Sequence, residues 1–234
     1  MKQLFLDAYQ DYINHMRTVI DGYDNHDGHG DRRRQCNTII DSINKDFNFE
    51  KLVVLETGSS SNYNDGLFGL FLGFLAKKTN GKMISVDISS EISQKSKKIF
   101  DEVIPELNYS VNVDDSVSFL KNLEEIPNLV HLDSWDFNLF DILPSALHGW
   151  EEFKAIESKM EKGSIIIIDD NYPKHSNLQW VYTDGRVEKA SVVYPMIGKG
   201  AHVYQHVLHN ETNWKLIGTH YDSPNNIKII IQKK

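Results

Sequence analysis

The chain has 234 residues, 40% of them hydrophobic and 25% charged, and carries a formal net charge of −8. That size and balance fit one soluble globular domain and argue against a disordered chain or a general nucleic-acid binder. The only cysteine is Cys36, so no internal disulfide can form, and no apolar stretch approaches the ~20 residues that span a bilayer. Asp7 interrupts the amino terminus too early for a signal peptide. A cytoplasmic location is expected.

Residues 2–21 carry Leu4, Phe5, Tyr9, Tyr12, Ile13, Met16 and Ile20 at helical spacing, which predicts an amphipathic helix. Its stripe could pack in a homodimer or form part of a lid. A polar, glycine-punctuated loop runs from Gly22 to Asp31, and Arg32-Arg33-Arg34 lead into a second helix near 34–46. From residue 51 the pattern alternates. Strands are expected near 51–56, 82–87, 107–112, 128–133 and 163–169, with helices near 66–78, 90–103, 114–123 and 144–161. Such alternation predicts a doubly wound, Rossmann-like parallel sheet. Residues 178–194 read as a hairpin turning at Asp184-Gly185, followed by a helix near 198–209. Two β-rich runs, 214–220 and 227–231, suggest a terminal antiparallel pair. The expected fold is therefore a seven-stranded α/β sheet, mostly parallel, preceded by helices. Residues 1–50 form a helical extension with a lid loop, and 51–234 the main domain.

Three apolar runs end on polar residues. Leu52-Val53-Val54-Leu55 gives way to Glu56-Thr57-Gly58-Ser59-Ser60, Leu129–Leu132 to Asp133, and Ile165–Ile168 to Asp169-Asp170. Ligands of open α/β sheets sit outside the carboxyl ends of the strands, and collected acids suit a hard divalent cation. Each acid has a plainer reading as a solvated strand end or a helix cap. His26, Asp27, His29 and Asp31 read more simply as a flexible polar loop than as a metal cluster. Gly198-Lys199-Gly200 lacks the spacing of a phosphate loop, so the pattern gives Lys199 no role.

The acid-Thr-Gly-Ser turn at Glu56, followed by Ser85-Val86-Asp87 at the next strand end, resembles class I S-adenosylmethionine-dependent methyltransferases. The resemblance covers roughly residues 34–232. It implies that Glu56, Thr57, Gly58, Ser59 and Ser60 wrap the methionine part of the cofactor. It also implies that Asp87 grips the ribose, and that Asp115 and Ser116 lie beside the adenine. The family's later glycines are replaced by Ser59, Ser60 and Ser61, with Gly66 arriving only after a longer loop. Leu132-Asp133-Ser134-Trp135 and Ile168-Asp169-Asp170-Asn171 further resemble the metal sites of catechol-type and of macrolide or aminocoumarin sugar O-methyltransferases. That likeness implies Mg²⁺ on Asp133, Asp169 and Asp170, with Asp133 also beside the cofactor, and transfer to a hydroxyl of a small molecule or sugar.

Asp136 is a candidate fourth ligand, base or cap, and His148 a candidate base or a surface histidine. Trp135, Tyr172, Trp180 and Tyr182 are candidate pocket aromatics or ordinary core. One rival keeps the cofactor without metal, using His148 or Asp133 as base. Another, a dinucleotide-binding oxidoreductase, calls for a Gly-x-Gly-x-x-Gly turn that Glu56–Ser61 does not supply. A third is a binding module that keeps the fold without catalysis. No nucleic acid and no membrane is expected as a partner.

Overall fold

The computed structural model describes residues 1–20, 23, 36–63, 67–181, 184–209, 212–221 and 226–234. The chain opens with α1 (Lys2–Val19), whose Phe5, Ala8, Tyr12, Ile13 and Met16 are buried along one face. A helical turn over 36–42, α2, follows. The sheet then begins with β1 (Val53–Thr57), and α3 (Phe68–Lys78) covers it. Next come β2 (Lys82–Asp87), α4 (Ser90–Val103), β3 (Tyr109–Val113), α5 (Ser116–Asn122) and β4 (Leu129–Leu132). After α6 (Leu143–Ile156) run β5 (Ile165–Pro173), β6 (Asn177–Val181), β7 (Val187–Ser191) and β8 (Met196–Gly198). The chain closes with α7 (Ala201–His209), β9 (Trp214–Tyr221) and β10 (Ile227–Lys233).

Strands β3-β2-β1-β4-β5-β10-β9 lie side by side in that order. The first five are mutually parallel, while β10 runs antiparallel to both β5 and β9. This is the mostly parallel Rossmann-like sheet with an antiparallel terminal pair that the sequence predicts. The sheet has one strand more than expected, because β8 pairs antiparallel with the end of β5. Three residues are too few to carry a recognisable pattern. The hairpin lies where expected, β6 pairing β7 as a separate two-stranded sheet with Gly185 at φ +84°. The α6 helix ends at Ile156, five residues before its predicted end.

Phe5 packs edge-on against Phe47 and Phe71, with ring centroids at 5.7 and 6.4 Å. Tyr12 meets Phe71 at 6.3 Å. These residues belong to the same apolar cluster as Leu52 and Val54 of the first strand run. The α1 stripe is thus spent inside the core, and the change of pattern at residue 50 does not separate two cores. The loop over 24–35, with its histidines, acids and arginines, lies outside the described residues, as does the Trp180 side chain and residue Tyr182. Among the described residues, no helix is long and apolar enough to cross a membrane.

Candidate functional site

A cleft of about 810 Å³ opens at the carboxyl edge of β1, β2, β4 and β5. At the end of β1 the chain turns at Gly58, with φ +77°. A Cβ there would lie 2.5 Å from the Asp133 carbonyl oxygen, so β1 and β4 approach as closely as they do only because residue 58 is glycine. Serines take over what later glycines would do. The Ser60 hydroxyl donates to Glu56 Oε2 at 3.3 Å and accepts from the Gly69 backbone N–H at 3.1 Å, tying the turn to the first turn of α3. The Ser59 N–H donates to Asp87 Oδ2 at 2.9 Å, and the Ser89 N–H to Asp87 Oδ1 at 2.7 Å, which fixes the Asp87 carboxylate against the cleft.

Glu56 and Thr57 are fully buried. Glu56 therefore sits beneath the turn rather than on the cleft wall, where its Oε1 accepts from the Ser85 hydroxyl at 2.9 Å. Burial pushes its carboxyl up to about 7, against the hydrogen bonds from Ser85 and Ser60. Thr57 reaches the other way, its Oγ1 accepting from the Asp133 N–H at 3.2 Å.

On the β3 side, Asp115 caps α5 by accepting from the Ser118 N–H at 2.8 Å, which holds its carboxyl below the usual range. His148 belongs to this flank. Its Nε2 lies 2.9 Å from Ser116 Oγ and 2.8 Å from Ser134 Oγ, and Ser134 Oγ donates to the buried Glu152 at 2.6 Å. The Trp135 ring sits 5.2 Å from the His148 ring. Trp135 and Asp136 are exposed along the cleft. Tyr172 packs instead on Phe137, at 4.6 Å, within a small satellite cluster.

The β5 flank holds the acids. The carboxylates do not lie just beyond the strand, because β5 continues through Asp169 and Asp170 to Pro173 between β10 and β8. Asp170 takes a left-handed conformation, φ +49°, and the β5–β10 register shifts between Ile227 and Ile229. Asp169 is buried and forms an ion pair with Lys228, itself buried on β10; its Oδ1 also accepts from the Asp170 N–H at 2.7 Å.

Lys199, 3% exposed, places Nζ 2.6 Å from Asp133 Oδ1 and 2.9 Å from Asp170 Oδ2. Burial alone would lower its pKa, but Asp133 and then Asp170 hold the ammonium above its ordinary range. Asn171 clamps this arrangement: its Oδ1 accepts from the Gly200 N–H at 2.6 Å while its amide donates to the Ile168 and Asp169 carbonyls.

Two members of this charge cluster thus escape the sequence pattern, Lys199 and Lys228. Both left a trace in it. Lys228 is a lone charge inside an isoleucine-rich strand, and Lys199 is pinned between two glycines.

This donor set does not fit a Mg²⁺-like ion. Such an ion is held through one or two carboxylates with water completing its six oxygens. Here Asp133 and Asp170 converge on an ammonium while Asp169 is held by another, so the carboxylates it would need are already neutralised. Ligand atoms of His131, Asp133 and Asp169 do come within 4.8 Å of one another, yet two of those three are ion-paired to lysine.

The strand order and the cleft define the class I S-adenosylmethionine-dependent methyltransferase fold. The antiparallel β10 between β5 and β9 sets it apart from the dinucleotide-binding sheet of order 3-2-1-4-5-6. Solved structures agree. SMU.1697c of Streptococcus mutans, assigned as a methyltransferase and solved in complex with SAH, matches over 83% of this chain and 94% of its own, at 14% identity and a TM-score of 0.51. The DhpI–SAH complex matches over 96% of both chains at 12% identity and a TM-score of 0.50. The yhhF protein of Escherichia coli, also assigned as a methyltransferase, matches over 87% of this chain and 85% of its own, at 14% identity and a TM-score of 0.50. No protein-family profile matches the chain, and no curated protein matches it in sequence.

Proposed function

We propose that the protein is an S-adenosylmethionine-dependent O-methyltransferase whose acceptor is a hydroxyl of a small molecule or sugar. The observation that carries this reading is the single cleft onto which Gly58, Asp87, Asp115, Asp133 and Asp170 all open, at the carboxyl edge of a sheet with this strand order. Asp87 is suited to a ribose, since a fixed carboxylate accepts hydroxyl hydrogen bonds strengthened by its charge. Gly58, Ser59 and Ser60 offer the close backbone approach that the methionine end needs. Ser116, at the start of α5, is the group suited to the adenine, and His148 reaches both it and Ser134 at the end of β4.

The bound cofactor supplies a sulfonium methyl group. Asp133, 27% exposed with Lys199 paired to its Oδ1, and His148, with Ser116 and Ser134 within hydrogen-bond distance of its Nε2, are the two candidates for the general base that takes the acceptor's hydroxyl proton. Exclusion of water by the cleft walls and positioning of the hydroxyl then account for much of the rate. The acidic chain, with a net charge of −8, favours neutral acceptors over polyanions.

Calorimetry with S-adenosylmethionine and S-adenosylhomocysteine tests the reading. The wild type is expected to bind both, and Asp87→Ala to weaken binding about tenfold or more, the loss of two charge-assisted hydrogen bonds. No heat with either ligand in the wild type overturns the assignment. Transfer of labelled methyl to a panel of sugars and phenols then identifies the acceptor class.

A further inference from the structure

Three carboxylates gather on the acceptor flank, and two ammonium groups meet them. Lys199 Nζ has three N–H donors and three acceptors in reach: Asp133 Oδ1 at 2.6 Å, Asp170 Oδ2 at 2.9 Å and the Asp133 carbonyl oxygen at 3.3 Å. Its backbone is built into place. Gly198, φ +109°, packs against the Asp170 carbonyl so closely that a Cβ would overlap it, and Gly149 does the same against the Lys199 carbonyl. Asn171 holds the next residue, Gly200. The backbone that carries the lysine is thus fixed against β5 and α6, with its side chain only 3% exposed. Lys228 is equally fixed, since it sits within β10 and between two sheet neighbours.

We propose that Lys199, backed by Lys228, is a resident cation that occupies the position a divalent metal would take, so that Asp133, Asp169 and Asp170 bind no metal. The inference deepens the methyl-transfer reading by naming the source of positive charge beside the acceptor oxygen. An ammonium donates only where its protons point, whereas a divalent ion would coordinate the acceptor oxygen directly. Charge on this flank is consequently fixed at synthesis rather than set by metal supply.

The test measures metal and cofactor binding separately. Mn²⁺ is titrated into the protein and its free form followed by electron paramagnetic resonance, with Mg²⁺ as competitor. The wild type is expected to leave the signal undiminished at millimolar Mn²⁺. Lys199→Met removes the charge but keeps the length, and is expected to tighten Mn²⁺ binding by about tenfold or more, because affinity for hard cations rises with uncompensated carboxylates. Lys199→Arg should bind none. Should Lys199→Met melt before the titration temperature, Lys228→Met carries the same expectation through Asp169.

One equivalent of Mn²⁺ bound by the wild type and displaced by Mg²⁺ overturns the proposal. So does a folded Lys199→Met and Lys228→Met pair that gains nothing. Calorimetry with S-adenosylhomocysteine, with and without EDTA, stands apart from these outcomes. Its failure would sink the methyl-transfer reading and leave the metal result intact.

Discussion

Glu56 is buried beneath the turn that faces the cleft, and its carboxyl is pushed up to about 7, chiefly by loss of water. Between the ordinary glutamate value of 4.5 and 7, the folded protein holds a proton that the unfolded chain has released. Stability therefore falls as pH rises through that window, by about 3 kcal/mol in all at ~1.4 kcal/mol per unit. Glu56→Gln removes the ionisation while keeping an acceptor for Ser85. It is expected to melt several degrees above the wild type at pH 8 and to lose most of that advantage at pH 5. Scanning calorimetry at the two pH values checks this, and an equal difference at both would take the carboxyl out of the account.

Asp169 belongs to the same scale. Deleting its carboxylate strands Lys228, and breaking one partner of a buried ion pair costs about 3–5 kcal/mol. Asp169→Ala should consequently lose stability, measured in urea, before any effect on transfer can be read.

At the scale of elements, the strand-end pattern located the cleft but not the two ammonium groups that meet its acids. Gly58 and Asp87 open on the cleft where the pattern has them, because a turn that must bring backbone close to backbone calls for glycine and the structure has Gly58 against Asp133, whereas Glu56 and Thr57 are buried beneath that turn. The Asp184-Gly185 hairpin was legible for a similar reason, since its turn needs a positive φ. The two lysines were not, because an ion pair between residues 66 positions apart leaves no local period. Nor was the continuation of β5 beyond Asp170, which depends on β8 and β10 as partners.

Asn171 joins these elements. Its buried amide spans β5, β10 and the turn that carries Lys199. Asn171→Ala leaves several buried backbone groups without a partner, at about 1–3 kcal/mol each. The expected loss is at least about 2 kcal/mol in urea denaturation, with a matching rise in hydrogen exchange at Gly200.

Taken whole, the molecule packs two main apolar clusters, and α1 is spent in the one that also holds Leu52 and Val54 of the first strand run. The amphipathic stripe of α1 was readable from the sequence as a helix face, but its partner was not. Alternation of pattern says that a face is apolar and says nothing of which surface covers it. That partner is α3 and the edge of Phe47, inside the sheet's own cluster. Phe5→Ala is therefore expected to lower global stability by about 3–5 kcal/mol in a single cooperative transition, with S-adenosylhomocysteine affinity little changed. Two separate transitions would mean that residues 1–50 fold as a unit of their own.

Lys228 lies on β10, although the acid it neutralises lies on β5, more than fifty positions earlier. Because a domain folds as a unit, the carboxylate of β5 and the ammonium of β10 are buried in one event. A chain cut short of β10 would leave Asp169 without the ammonium that lets it be buried, so the acceptor side of the cleft depends on a strand that contributes little of its wall.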